Sequence, residues 1–140
     1  MDGSSRRPLR LKGYDYSLGG YYFVTVCTKD RVSHLRRGAH CAPEVLPPLT
    51  TAGQIAEQAV LQISAHYPGV IVDKYVVMPN HVHILLVLPP DNGRALRAPT
   101  LSRIVRAWKE TVTKTLGKAI WQKSFYDHII RNEADYLRIW

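Results

Sequence analysis

The chain has 140 residues, 46% of them apolar, enough for one domain with a real core. Its longest apolar run is far short of a membrane span and no secretory signal opens it, so neither a membrane-spanning helix nor export is expected. Nineteen basic residues against eleven acidic ones leave a net charge of +8, which favours a polyanionic partner, above all nucleic acid, over a mere surplus of solubilising charge.

The first 20 residues read as a basic arm. Arg6, Arg7, Arg10 and Lys12 crowd a stretch with no helical apolar face, which suits phosphate contacts or a plain solvated tail. The glycines Gly19 and Gly20 end a turn-rich connector. Tyr21 to Thr28 is rich in aromatic and β-branched residues and predicts a strand, closed by Lys29-Asp30-Arg31. Its Cys27 packs as a small apolar residue. With Cys41 it fits no zinc spacing, and a reduced, cytoplasmic protein is expected. Residues 32–50 hold three prolines and read as irregular. His34, His40 and Cys41 lie there, without the fixed geometry a metal cluster needs.

Thr51 and Gln54 have the spacing of a capping box, and the apolar positions after them predict one helix through about Ala65. Tyr67-Pro68-Gly69 stops it. Val70–Val77 and His81–Leu88 predict two strands joined by a tight turn at Pro79-Asn80. Beyond a connector, Thr100 can cap a helix whose stripe is Leu101, Ile104, Val105, Trp108, Val112 and Leu116, ended by Gly117. Arg103, Arg106, Lys109 and Lys114 lie off that stripe, on a solvated face or a nucleic-acid face. Ala119–Gln122 resembles a short strand, residues 124–132 resist typing, and Asn132 can cap a last helix. The order of elements predicts an α+β domain, most simply a ferredoxin-like antiparallel sheet with helices on one face.

The chemistry concentrates at His81-Val82-His83. Side chains alternate along a strand, so both imidazoles share one face, roughly 7 Å apart along the chain. Such a pair can grip a divalent cation, and the apolar strand behind it is a rigid scaffold. Two polar residues ahead of a core strand are the plainer alternative.

Three stretches together resemble one family. They are Arg10–Tyr16 with Tyr22–Arg31, then Val77-Met78-Pro79-Asn80-His81-Val82-His83, then Ile120–Glu133 with its Trp121, Phe125, Tyr126, Asp127, His128 and Arg131. They are similar to the REP-associated tyrosine transposases, relatives of the single-strand insertion-sequence transposases among the HUH endonucleases. The resemblance covers nearly the whole chain except residues 35–50 and 91–99. It implies metal-dependent cleavage and rejoining of single-stranded or hairpin DNA through a phosphotyrosine intermediate. His81 and His83 match the family's metal pair, holding Mg²⁺ or Mn²⁺. The arm, Arg31, Arg103, Arg106, Lys109, Lys114, Lys123 and Arg131 would contact DNA, and a homodimer is expected. In the family the nucleophilic tyrosine follows the Tyr136 position by about six residues, roughly 1.7 helical turns, which falls just past Trp140. The resemblance therefore implies an incomplete chain, with Tyr136 only a fallback nucleophile and Tyr126 a packing residue. A non-catalytic single-strand binding module is the alternative. An RNA-binding ferredoxin-like domain is disfavoured, because the paired aromatic signature on adjacent strands is absent.

Overall fold

The structure is a computed structural model, and it describes residues 20–37, 47–89 and 101–130. Strand β1 (Gly20–Cys27) leads into a 3-10 turn at Lys29–Arg31. Helices α1 (Thr51–Leu61) and α2 (Ile63–His66) follow, then strands β2 (Ile71–Val77) and β3 (His81–Leu88). Helix α3 (Leu101–Leu116) and strand β4 (Tyr126–Ile130) complete the described residues. The four strands form one antiparallel sheet in the order β2-β3-β1-β4. This is the expected α+β, ferredoxin-like arrangement, with β1 inserted between β3 and β4.

One face of the sheet is the core. Tyr22, Val24 and Val26 of β1 and Val82, Ile84, Leu86 and Leu88 of β3 are buried there against Ala56 and Val60 of α1 and Ile104, Val105, Trp108 and Val112 of α3. The helical stripe read from the sequence is the face that packs, and Trp108 also donates its indole N–H to Ala56 O at 3.2 Å across the helix pair. Alternation sends the intervening residues to the opposite face: Tyr21, Phe23 and Thr25, His81 and His83, and Tyr126 and His128.

Several boundaries differ from the sequence reading. The cap of α1 is Thr50, not Thr51. Its hydroxyl accepts from Gly53 N at 3.0 Å and donates to His34 O at 2.6 Å, so a contact with the loop after β1 selects it. The expected single helix breaks at Gln62 into α1 and α2. The expected strand at Ala119–Gln122 reduces to one bridge, Thr28 with Trp121. The stretch that resisted typing contains β4. The basic arm, residues 91–99 and the expected C-terminal helix lie outside the described residues.

Candidate metal and nucleic-acid site

The Pro79-Asn80 turn places the histidines, and it is held from outside. Val77 pairs with Val82, and Met78 N donates to His81 O at 2.8 Å, so only two residues make the loop. Neither has a positive φ, which excludes the primed turns that usually close such hairpins. The segment after β1 supplies the constraint instead. Leu35 N donates to Pro79 O, and Thr28 N donates to Asn80 O, both at 3.0 Å. The Thr28 hydroxyl, fully buried, lies 2.7 Å from Val32 O and 3.1 Å from Asn80 O. The Arg36 guanidinium donates to Val77 O and Pro47 O, tying the same segment to the end of β2.

His81 and His83 stand together on the face away from the helices, ring centroids 4.6 Å apart and edge to face. Each is half-buried and each has its Nδ1 engaged. His83 Nδ1 is hydrogen-bonded to Thr25 Oγ1 at 2.9 Å, across the β1–β3 ladder. His81 Nδ1 is hydrogen-bonded to Asn80 Oδ1 at 2.8 Å. Phe23 stacks on His83 with centroids 5.0 Å apart. Burial, then the charge of His81, pushes His83 down to about 4. Burial, then the Arg31 guanidinium, lowers His81 as well. Both rings are therefore neutral near pH 7, the form that ligates metal. Neutral imidazoles with occupied Nδ1 atoms and adjacent rings fit a divalent cation. Among the described residues, no group of three His, Cys, Asp or Glu joins to complete a ligand set.

No family model matches the chain. It is 33% identical over 155 residues to an uncharacterised protein of Haemophilus influenzae, covering 96% of this chain and 84% of that protein. It is 32% identical over 122 residues to the REP-associated tyrosine transposase of Escherichia coli K12, covering 86% of this chain. A solved structure described as a REP-associated tyrosine transposase bound to a REP hairpin superposes with a TM-score of 0.66 at 27% identity, over 93% of this chain and 67% of that one. In sequence and in fold the chain is similar to the REP-associated tyrosine transposases. It spans 62% of the length of the Escherichia coli member and 66% of a second, Haemophilus influenzae relative carrying that name, to which it is 28% identical. A transposase-like protein of Deinococcus radiodurans, at 19% identity and a TM-score of 0.56, shares the fold.

In this structure the charged residues read from the sequence separate. Arg31 is exposed beside the histidines, close enough for its charge to act on His81. Lys123 is exposed in the loop before β4. Arg103, Arg106 and Lys114 are exposed on α3, which packs on the other face of the sheet. Lys109 is half-buried instead. Its ammonium donates to Gln122 O at 2.7 Å and Ser124 O at 3.3 Å, and burial lowers its pKa. It braces the loop between Trp121 and β4, a duty that takes it out of the exposed basic set. The reading of Tyr126 as a packing residue is corrected. Tyr126 is 44% exposed and pairs with Thr25 on the histidine face, whereas the neighbouring Phe125 is the buried one. Arg6, Arg7, Arg10, Lys12, Arg131 and Tyr136 lie outside the described residues.

Sequence reasoning missed Thr25 and Asn80 as partners of the imidazoles. Asn80 stands beside the pair in the sequence, and that adjacency was the available signal. Thr25 is 58 positions from His83, and only the strand register brings them together.

Proposed function

We propose that this domain holds a divalent cation between His81 and His83 and acts on a phosphodiester of single-stranded or hairpin DNA. The observation that carries the reading is the pair of neutral imidazoles, side by side on the sheet face away from the helices, each fixed through Nδ1. Imidazole donors suit Mn²⁺ better than Mg²⁺, which prefers oxygen. When bound, such an ion polarises the phosphate and steadies charge on the leaving oxygen. Thr25 and Asn80 orient the rings, and Arg31 offers a guanidinium to a phosphate beside them. In the family reaction a tyrosine phenol loses its proton and its oxygen bonds to phosphorus. The bond from phosphorus to the 3′ oxygen breaks, and the phosphoryl group stays on the tyrosine. The relative bound to a REP hairpin supports hairpin DNA as the partner class here.

The test is an NMR titration with Mn²⁺, followed by binding of a labelled REP-like hairpin with and without the metal. Signals of His81 and His83 broaden first, His34 stays sharp, and His81→Ala/His83→Ala abolishes the response. Broadening at other histidines, or hairpin binding indifferent to both the metal and the double variant, overturns the reading. A denaturing gel of the same mixtures separates a nicking enzyme from a binding module. A covalent band that disappears in Tyr136→Phe assigns the phenol to Tyr136, and the absence of any band favours the binding module.

A further inference from the structure

Asn80 does more than turn the chain. Its side-chain amide lies between two groups of opposite hydrogen-bonding character. On one side Nδ2 donates to the backbone carbonyl of Arg31 at 3.3 Å. On the other, Oδ1 meets His81 Nδ1 at 2.8 Å. A carbonyl can only accept, so Arg31 O fixes which end of the amide faces it. The remaining end is an oxygen, which also only accepts. The His81 nitrogen opposite must therefore carry the hydrogen. The backbone of Asn80 cannot drift from this position, because Thr28 N holds its carbonyl.

The Arg31 carbonyl is aimed by an unusual backbone. Asp30 and Arg31 are consecutive non-glycine residues at φ 56° and 58°, and no other described non-glycine residue has a positive φ. Left-handed backbone at a side-chain-bearing residue is disfavoured and persists where surroundings impose it. Here Arg31 N donates to Thr28 O at 3.1 Å and Val32 N to Lys29 O at 3.3 Å, closing the turn. The result is a relay. The left-handed turn orients a carbonyl, the carbonyl orients an amide, and the amide orients a ring.

We infer that Asn80 is a positioning residue that sets the Nδ1–H tautomer of His81, leaving Nε2 as the lone-pair donor for the cation. The inference rests on the metal reading of the histidine pair for its purpose, but not for its test. Without the amide the ring is free to carry its hydrogen on Nε2, where it blocks ligation. Partners of ligating histidines act in this way, and losing one typically weakens metal binding by about 10- to 100-fold. His83 is served separately by Thr25, so a change at Asn80 leaves its tautomer alone.

The experiment is long-range ¹H–¹⁵N correlation spectroscopy of the histidine rings in the metal-free 140-residue chain near neutral pH. In the parent protein His81 shows a protonated Nδ1 and an unprotonated Nε2. In Asn80→Ala the His81 signals move toward the Nε2–H form, the His83 signals stay, and Mn²⁺ affinity falls at least tenfold. An Nε2–H tautomer at His81 in the parent protein overturns the inference without any variant. So does an Asn80→Ala protein, folded by its His83 signals, in which the His81 tautomer is unchanged. If the tautomer behaves as stated but Mn²⁺ does not bind the parent protein, the metal reading fails and the positioning role of Asn80 stands.

Discussion

Thr25 and the two histidines carry predictions of their own. Thr25→Val keeps the shape of the strand residue and removes the partner of His83 Nδ1. Mn²⁺ affinity, measured by calorimetry, should fall by about tenfold or more while the fold is retained. The pH response follows from the lowered values. The folded-state value of His83, about 4, lies below its ordinary 6.5. Between those two values the unfolded chain binds a proton that the folded chain refuses, so stability rises with pH across the window and levels off above it. The lowered His81 acts in the same direction. Thermal unfolding in chelator, followed across that window, should give a climbing midpoint, and His83→Gln should flatten the climb. The histidine pair itself was legible in the sequence, because period-two alternation alone puts both rings on one face. Their hydrogen-bond partners were not all legible, because Thr25 reaches His83 only through the β1–β3 register.

At the scale of elements, the strands and helices with clean apolar periodicity were read correctly, β3 and α3 to the residue. The failures share a cause. β4 was obscured because its alternation is inverted: Asp127 pairs with Val24 on the helix side, while Tyr126 and His128 face away. The cap of α1 was misplaced by one residue because tertiary contacts from His34 and Leu35 choose Thr50. That docking gives Gly53 an unusual burden. A Cβ there would lie 2.1 Å from Leu35 O, a backbone atom with little freedom to yield. Replacing a helical glycine by alanine ordinarily stabilises by about 1 kcal/mol. Here Gly53→Ala should destabilise instead, by roughly 1–3 kcal/mol as overpacking does. Urea unfolding checks the sign, and a stabilised variant would mean that α1 does not dock on the Leu35 segment.

For the whole molecule, the net charge points the same way as the proposed nucleic-acid partner, but charge counting cannot say how the basic residues are distributed. The sheet divides them. Arg31 borders the histidines, while Arg103, Arg106 and Lys114 sit on α3 across the core. A strand short enough to cover only the histidine face should lose affinity on Arg31→Gln and ignore Arg103→Gln/Arg106→Gln/Lys114→Gln. A longer hairpin that reaches both sides should respond to both sets. Each lost single-strand phosphate contact lowers the log–log salt slope by roughly 0.7. Fluorescence anisotropy of a short strand and a hairpin across salt concentrations measures this. A short strand that senses α3 but not Arg31 would place the DNA on the other side of the sheet.

The insertion of β1 between β3 and β4 also governs when the site comes into being. A nascent chain makes β1 first, yet both of its ladder neighbours are encoded more than fifty residues later. Such non-local pairing requires loop closure before any contact compensates for it, and it slows folding. The β2–β3 hairpin can form on its own, carrying both imidazoles, but without Thr25 or the turn that orients Asn80. The two rings acquire their fixed arrangement only when β1 docks. Ordering of the His81 and His83 ring signals during refolding should therefore lag hairpin formation and coincide with the last, slowest phase.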